Sequence, residues 1–415
     1  MTRFEEFFNA VLSAGAPTPR SLAPGECQST SGERCGLCAA MTYDYASESS
    51  ARERAAADFW KSLGLSAPCE PLVRSPLGRA YRTVSKRKAF RVRNDVRLGF
   101  VGPADRPPPG GITVGSCAIE PPTHAAVYRI IEEELAQPRA TPLREALLYA
   151  VIKGNYREQT VILNARSVTP QVVRTANTIS KLLTKHLGTA IAGFFLFEGD
   201  PEARYYLGAR DKGAIPEARK LFGKRELFIR VDGRNFLYPP LSFSQVNESL
   251  LDRFVVEARR LLALTATNTL FDLYCGYGLF ALCLASSVRT VIGVESAHQS
   301  VAAATANARR QHAANTRFVR ANIDEDSIEH LLQKSPPQSL ILLDPPRGGT
   351  APGVIEAIAN RRPARVLHIF CNMDLIQIEL DRWHRGGYRV ARAVPIDMFP
   401  GTADLEMMVL LEPGS

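Results

Sequence analysis

Three kinds of residue in this chain stand where chemistry is commonly done. Cys371-Asn372 follows the apolar run Val366–Phe370, and Asp344-Pro345-Pro346-Arg347 follows Leu340–Leu343. Glu406 opens the last apolar run. A thiolate can act as a nucleophile, and a carboxylate can exchange a proton. A lone cysteine is more often a core residue, and a lone glutamate is more often surface. Here both stand at the ends of strand-like runs, in company with Asp344. The two prolines stiffen the loop beyond Asp344, so Asp344 can meet a cofactor or a pyrimidine edge, and Arg347 can hold a phosphate or lock the loop.

A second constellation lies upstream. Phe271-Asp-Leu-Tyr-Cys-Gly-Tyr-Gly places Gly276 and Gly278 between a strand and a helix, and Glu295 ends the next strand. Glycines let the backbone approach a ligand, and an acid at that strand end can accept hydrogen bonds from ribose hydroxyls. Ala281 completes Gly-x-Gly-x-x-Ala. The loop alone therefore fits a nicotinamide site or an S-adenosylmethionine site.

These residues need a sheet to hold them. From about residue 243 the sequence alternates between strand-like and helix-like stretches. Strands are predicted at 269–273, 290–294, 316–319, 339–343, 365–370 and 388–394, with a returning antiparallel strand from Glu406 to Leu411. That rhythm implies an α/β fold with a mostly parallel, doubly wound sheet. The first half reads as α+β. It has helices at 45–63, 123–136 and 169–187, a strand pair at 146–153 and 159–165, and strands at 190–198, 225–231 and 235–238. Phe4, Phe7, Phe8, Val11 and Leu12 recur at helical spacing, and this start lacks the form of a secretory signal. The expected division is an extension at 1–24, an α+β domain at 25–242 and a catalytic domain at 243–415, with 41–72 able to pack on the latter.

The composition excludes a disordered tail, a collagen-like chain and a small disulfide scaffold: 415 residues, 45% hydrophobic and 22% charged. No apolar run is long enough to span a bilayer, and a cytoplasmic monomer is expected. The net charge is +9. Nearly all of it falls in Arg74–Arg97, where nine basic residues face Asp95 alone. The alternation Phe90-Arg91-Val92-Arg93 suggests a strand with one basic face, either solvated or neutralising phosphates with salt-sensitive affinity. Cys27, Cys35 and Cys38 are clustered, and Cys117 follows far downstream. Four such thiolates can hold zinc or an iron–sulfur cluster, and spacing does not choose between them.

In order and spacing, Asp-Leu-Tyr-Cys-Gly, Asp-Pro-Pro-Arg, Cys-Asn and Asp397-Met-Phe-Pro…Glu406 resemble the RNA uracil-C5 methyltransferase family. Phe243-Ser-Gln245-Val-Asn247 resembles its Phe-x-Gln-x-Asn element. The resemblance sets the nicotinamide reading aside and implies a Rossmann-like class I methyltransferase domain using S-adenosylmethionine. It implies Cys371 as nucleophile on carbon 6 of uracil and Glu406 as base for the carbon-5 proton. Gln245, Tyr274, Gly276, Gly278, Glu295 and Asp344 match cofactor-site elements, and Gln245 and Asp344 can also face the uracil. The cysteines resemble the [4Fe-4S] site of family members acting on 23S rRNA, so RNA is the expected partner, rRNA ahead of tRNA. Met373, Gly401 and Asp404 depart from the family's Pro, His and His. A non-catalytic RNA-binding iron–sulfur protein is the alternative of another class. Only 26 residues precede Cys27, so no leading TRAM-type RNA-binding barrel is expected.

Overall fold

The computed structural model describes residues 2–15, 17–28, 34–92, 95–101, 111–203, 206–208, 217–333, 335–336 and 339–414. The chain begins with helices α1 (Arg3–Gly15) and α2 (Tyr45–Ser62). Strands β1 (Ser85–Val92) and β2 (Asp95–Gly99) follow, then helices α3 (Pro122–Leu135) and α4 (Thr141–Ala146). Next come β3 (Leu147–Gly154), β4 (Gln159–Ala165), α5 (Pro170–Leu187), β5 (Ile191–Glu198) and β6 (Ala218–Gly223). A hairpin, β7 (Leu227–Val231) and β8 (Arg234–Tyr238), leads to α6 (Leu251–Leu262). The alternating part runs β9 (Thr269–Leu273), α7 (Leu279–Leu284), β10 (Thr290–Glu295), α8 (His298–Arg310), β11 (Thr316–Arg320) and α9 (Glu325–Leu332). It continues with β12 (Ser339–Leu343), α10 (Val354–Asn360), β13 (Arg365–Phe370) and α11 (Ile376–Arg385), and ends with β14 (Tyr388–Ile396) and β15 (Glu406–Pro413).

Seven strands form one sheet in the order β11-β10-β9-β12-β13-β15-β14. The five from β11 to β13 are mutually parallel, and β15 runs antiparallel between β13 and β14. Every residue of β9 and β12 is buried, as befits central strands covered by helices on both faces. One face packs on α10 and α11 together with the chain's first two helices: Phe4, Phe8, Phe59 and Trp60 share a core with Phe271, Leu343 and Trp383. The segment expected to be an extension therefore supplies catalytic-sheet core. The opposite face packs on α6, α7 and the β7–β8 hairpin.

Local chemistry explains the helix ends. Asp44 caps α2 by accepting from the Ser47 amide at 2.8 Å, and Thr169 caps α5, with Pro170 at its first position. The second sheet runs β2-β1-β3-β4-β5-β6 and is antiparallel except at β4–β5, where α5 makes the crossover. Its core draws on α3, α4 and α5.

The basic face needs correcting. In β1 the buried and exposed residues alternate from Ser85, so Lys86 and Lys88 are exposed while Arg87 is 3% exposed. Arg91 and Val92 are both exposed, which ends the alternation where it was expected to begin. Arg93 lies outside the described residues. None of the described helices is long and apolar enough to cross a membrane.

Candidate functional site at the sheet rim

The parallel strands end on one rim, and the predicted residues stand just past those ends. Tyr274 follows β9, Asp344 follows β12, Cys371 follows β13, and Glu295 closes β10. Glu406 opens β15, whose pairing sets Met407 opposite Phe370. Continued by one residue, that antiparallel register faces Glu406 with Cys371.

These groups act on one another electrostatically. Burial pushes the Cys371 thiol up to about 12, and the Glu406 and Asp344 carboxylates add to this while Arg347 opposes it. Burial holds Glu406 well above the usual carboxylate range, with Asp344 contributing. Glu406 is 3% exposed, and its Oε2 has no hydrogen-bond partner. A buried carboxylate oxygen without a partner is costly, and its position suits a group arriving with a substrate. Burial raises Asp344 to about 7, against a hydrogen bond from the Gln245 amide nitrogen at 3.4 Å. The Cys371 thiol lies 3.7 Å from the Pro345 carbonyl oxygen, so the rigid Asp-Pro-Pro-Arg loop forms its wall. Arg347 reaches Asp404 at 3.2 Å.

The glycine loop forms the next part of the rim. Gly276 has φ 54°, and nothing lies within 4 Å of where a side chain would project. Its amide donates to Glu295 at 3.2 Å. Gly278 has φ 88°, and an added Cβ would come within 3.1 Å of Phe318. Tyr274 adopts φ 66°, a strained conformation for a bulky residue and one that clusters at functional sites. Asp272 is buried, accepts from the Ala281 amide at 2.8 Å and is raised to about 8 by burial. Asn247 instead serves the frame, donating to Ser75 and the Met398 carbonyl.

Cys27, Cys35, Cys38 and Cys117 are brought together around one cavity of about 460 Å³. The Cys35 amide donates to the Cys27 carbonyl at 2.7 Å, and the Cys27 amide to the Ser116 carbonyl at 3.0 Å. All four are free thiols. Burial raises each of them, Cys38 to about 12, with Cys35 and Cys27 adding to its rise. Among the described residues, no three His, Cys, Asp or Glu side chains are disposed to hold a metal ion. Cys69, Cys275 and Cys283 lie apart from this cavity, Cys275 and Cys283 buried and Cys69 partly so.

Much of the basic segment is internally paired. Arg74 meets Glu53, Arg79 meets Glu48, Arg87 meets Glu120 and Arg97 meets Asp95. Arg82, Lys86 and Lys88 instead line the cysteine cavity. Although Lys86 is exposed as a residue, its ammonium lies over the Tyr206 ring at 4.4 Å, and this partial shielding lowers its pKa, with Arg82 and Arg347 lowering it further. Sequence reasoning missed Glu48 and Arg52, whose only trace was an i,i+4 spacing in α2.

The strand order β11-β10-β9-β12-β13-β15-β14, with β15 alone antiparallel and a glycine loop after β9, is that of the class I methyltransferase fold. The family described as tRNA (Uracil-5-)-methyltransferase matches residues 224–413. A 23S rRNA (uracil(1939)-C(5))-methyltransferase RlmD from Aeromonas hydrophila is 30% identical over 388 residues, covering 91% of this chain and 80% of the relative. The chain belongs to the RNA uracil-C5 methyltransferase family. The RlmD of Aliivibrio fischeri strain MJ11 is 36% identical over 200 residues, and that match spans 48% of this chain and 45% of the relative, somewhat under half its length. The sequence had pointed to the 23S rRNA enzyme RlmC within the family, whereas these relatives carry the name RlmD. The tRNA (uracil-54, C5)-methyltransferase of Pyrococcus abyssi, solved with S-adenosyl-L-homocysteine, shares the fold at TM-score 0.66 and 18% identity, over 91% of this chain and 85% of its own.

Proposed function

We propose that this chain methylates carbon 5 of a specific uridine in structured RNA, with 23S rRNA as the favoured substrate. The observation that carries the reading is the facing of Cys371 and the unpartnered Glu406 across the β13–β15 pair, beside Asp344 and Gln245. S-adenosylmethionine would supply the methyl group as an electrophilic sulfonium. The open space over Gly276 and the Glu295 carboxylate fit it, Glu295 and Gly278 shaping the site and Tyr274 closing its edge.

The reaction needs a base turned out of its stack, as base-modifying enzymes require. Cys371, its proton passed to solvent, adds as the thiolate through sulfur to carbon 6, and the electron pair of the 5,6 double bond passes to the ring as an enolate. Carbon 5 then attacks the methyl group, breaking its bond to sulfur. Glu406 removes the proton on carbon 5, and the electrons of that bond expel Cys371 and restore the double bond. Gln245 and Asp344 hold the uracil edge. The resting thiol carries its proton because it is buried, with carboxylates beside it, and a cationic methyl donor in this pocket would offset their charge.

Arg82, Lys86, Lys88 and Arg347 contact RNA phosphates beside the site. Cys27, Cys35, Cys38 and Cys117 would hold a [4Fe-4S] cluster. The four free thiols lining one cavity are the donor types it needs, but as they stand no three are disposed to hold a metal, so their side chains would have to turn inward; the cluster would tie the N-terminal loop to the segment after β2. Incubation with labelled S-adenosylmethionine and total RNA from a strain lacking 5-methyluridine tests the proposal. Label is expected at 5-methyluridine in 23S rRNA and absent with Cys371→Ala. Label in tRNA alone would move the substrate, and no label in any RNA would overturn the enzymatic reading.

A further inference from the structure

The loop Asp397–Asp404 joins β14 to β15 and delivers Glu406 to the rim. Its backbone is held from outside the catalytic sheet. Arg52 of α2 is fully buried and donates to the Thr402 carbonyl at 2.6 Å and the Asp404 carbonyl at 2.7 Å. The same guanidinium meets Glu48 at 3.1 Å and Asp397 at 3.2 Å, and lies over the Phe8 ring at 4.5 Å. Glu48 accepts from the Gly401 amide and pairs with Arg79 at 2.8 Å. Tyr45 donates to Asp397 at 2.7 Å, and Tyr81 to the Pro400 carbonyl at 2.9 Å. The Ala40 amide, two residues beyond Cys38, donates to the Gly401 carbonyl at 2.9 Å.

We propose that Arg52 is the positioning residue for Glu406, acting through the carbonyls of Thr402 and Asp404 and touching neither substrate nor cofactor. This rests on Glu406 being the base of the proposed reaction. Three features favour positioning over bulk stability. A buried ion pair is weak evidence for stability, since apolar residues of similar volume often do as well. Arg52 spends two of its donors on loop carbonyls, one only two residues before Glu406. Its planar fork presents five N–H donors in fixed directions to acceptors spread around it, whereas the three donors of lysine radiate from a single nitrogen.

The test compares Arg52→Lys, Tyr81→Phe and Glu406→Gln in single-turnover reactions with total RNA lacking 5-methyluridine and labelled S-adenosylmethionine. The readouts are the covalent protein–RNA adduct, its decay rate and cofactor affinity. Displacing a reacting group by about 1 Å can cost about 100-fold. Arg52→Lys is therefore expected to form the methylated adduct and release it about 100-fold more slowly than the unchanged protein, with cofactor affinity retained. Tyr81→Phe, which removes one hydroxyl, should slow release by a smaller factor. Normal release from Arg52→Lys, or lost turnover without adduct, overturns the proposal. If Arg52→Lys does not fold, Tyr81→Phe decides, and its normal release overturns the proposal. Glu406→Gln separates the two levels: an adduct there with none in the Arg52 and Tyr81 variants sinks only the positioning role. No adduct in Glu406→Gln removes the base assignment and the proposal with it.

Discussion

Arg87 offers the sharpest test of how the basic segment is used. It sits on the buried side of β1 at 3% exposure and meets both oxygens of Glu120, itself 5% exposed, at 2.8 Å each. Its guanidinium also lies over Phe100 at 3.7 Å and Tyr128 at 4.6 Å. Burial alone would lower the arginine's pKa and raise the glutamate's, yet the partner outweighs burial in both, leaving Arg87 raised and Glu120 lowered. Removing one member of such a pair leaves an uncompensated buried charge, at about 3–5 kcal/mol, whereas replacing both by apolar residues is often neutral. Arg87→Met and Glu120→Met should each cost about 3–5 kcal/mol, and the double variant much less than their sum. The assay must look in the right place. The two tryptophans, Trp60 and Trp383, both lie in the core of the seven-stranded sheet, so their fluorescence reports on the other part of the molecule. Hydrogen exchange of β1, β2 and α3 in urea is the direct measurement. Loss of protection there is expected while the tryptophan transition stays in place. Single variants within about 1 kcal/mol of the unchanged protein would refute the reasoning.

Three further outcomes are expected. Lys86→Glu with Lys88→Glu should weaken RNA binding and reduce the slope of log affinity against log salt by about 1 for each phosphate no longer neutralised; an unchanged slope would return these lysines to being a solvated face. Burial lowers the fully buried Lys153 from 10.5 to about 7, and its ammonium donates to the Pro240 and Ser242 carbonyls. Because the folded value lies below the unfolded one, its contribution is full above 10.5 and is lost as pH falls through about 7, a change of at most about 5 kcal/mol. Lys153→Met should remove that gain between pH 7 and 10 in urea midpoints, and an identical pH slope in the variant would contradict it. Protein purified without oxygen should be brown and contain iron and acid-labile sulfide, both lost in Cys38→Ser; a colourless protein containing zinc would overturn the cluster.

The catalytic sheet was legible because its strands are short apolar runs bounded by turn residues. The runs at 269–273, 339–343 and 365–370 match the observed strands to the residue. Motifs at strand ends were legible for the same reason: a strand's end fixes which rim its next residue joins. β6 was missed, since Ala218–Gly223 has no buried face and no alternation. α4 has six residues, too short to show helical periodicity. Charge was read by segment, and that hid its partners. Arg87 and Glu120 lie 33 positions apart, and Arg52 bonds carbonyls 350 and 352 positions away. No local pattern carries such pairs. The place of α1 in the catalytic core was hidden likewise, fixed by contacts such as the Arg3 amide on Asp374 at 2.8 Å.

The rim's protonation fits the order of the proposed reaction. Asp344 at about 7 and Asp272 at about 8 are raised chiefly by burial, and Glu406 by burial and Asp344 together. Cys371, at about 12, keeps its proton for the same reason. Such a pocket is poor at stabilising a free thiolate and suited to a cation, because burial raises all four groups and a positive charge beside Cys371 and Glu406 favours their charged forms against it. Bringing in the sulfonium would therefore lower the thiol and the glutamate together, making the nucleophile available and readying the base only when the methyl donor is present. Methyl transfer then removes that charge, and the carboxylates regain their affinity for protons as the carbon-5 proton has to be taken. The same burial that makes the resting site inert thus sets Glu406 to act after methyl transfer, provided the loop that carries it is held in register.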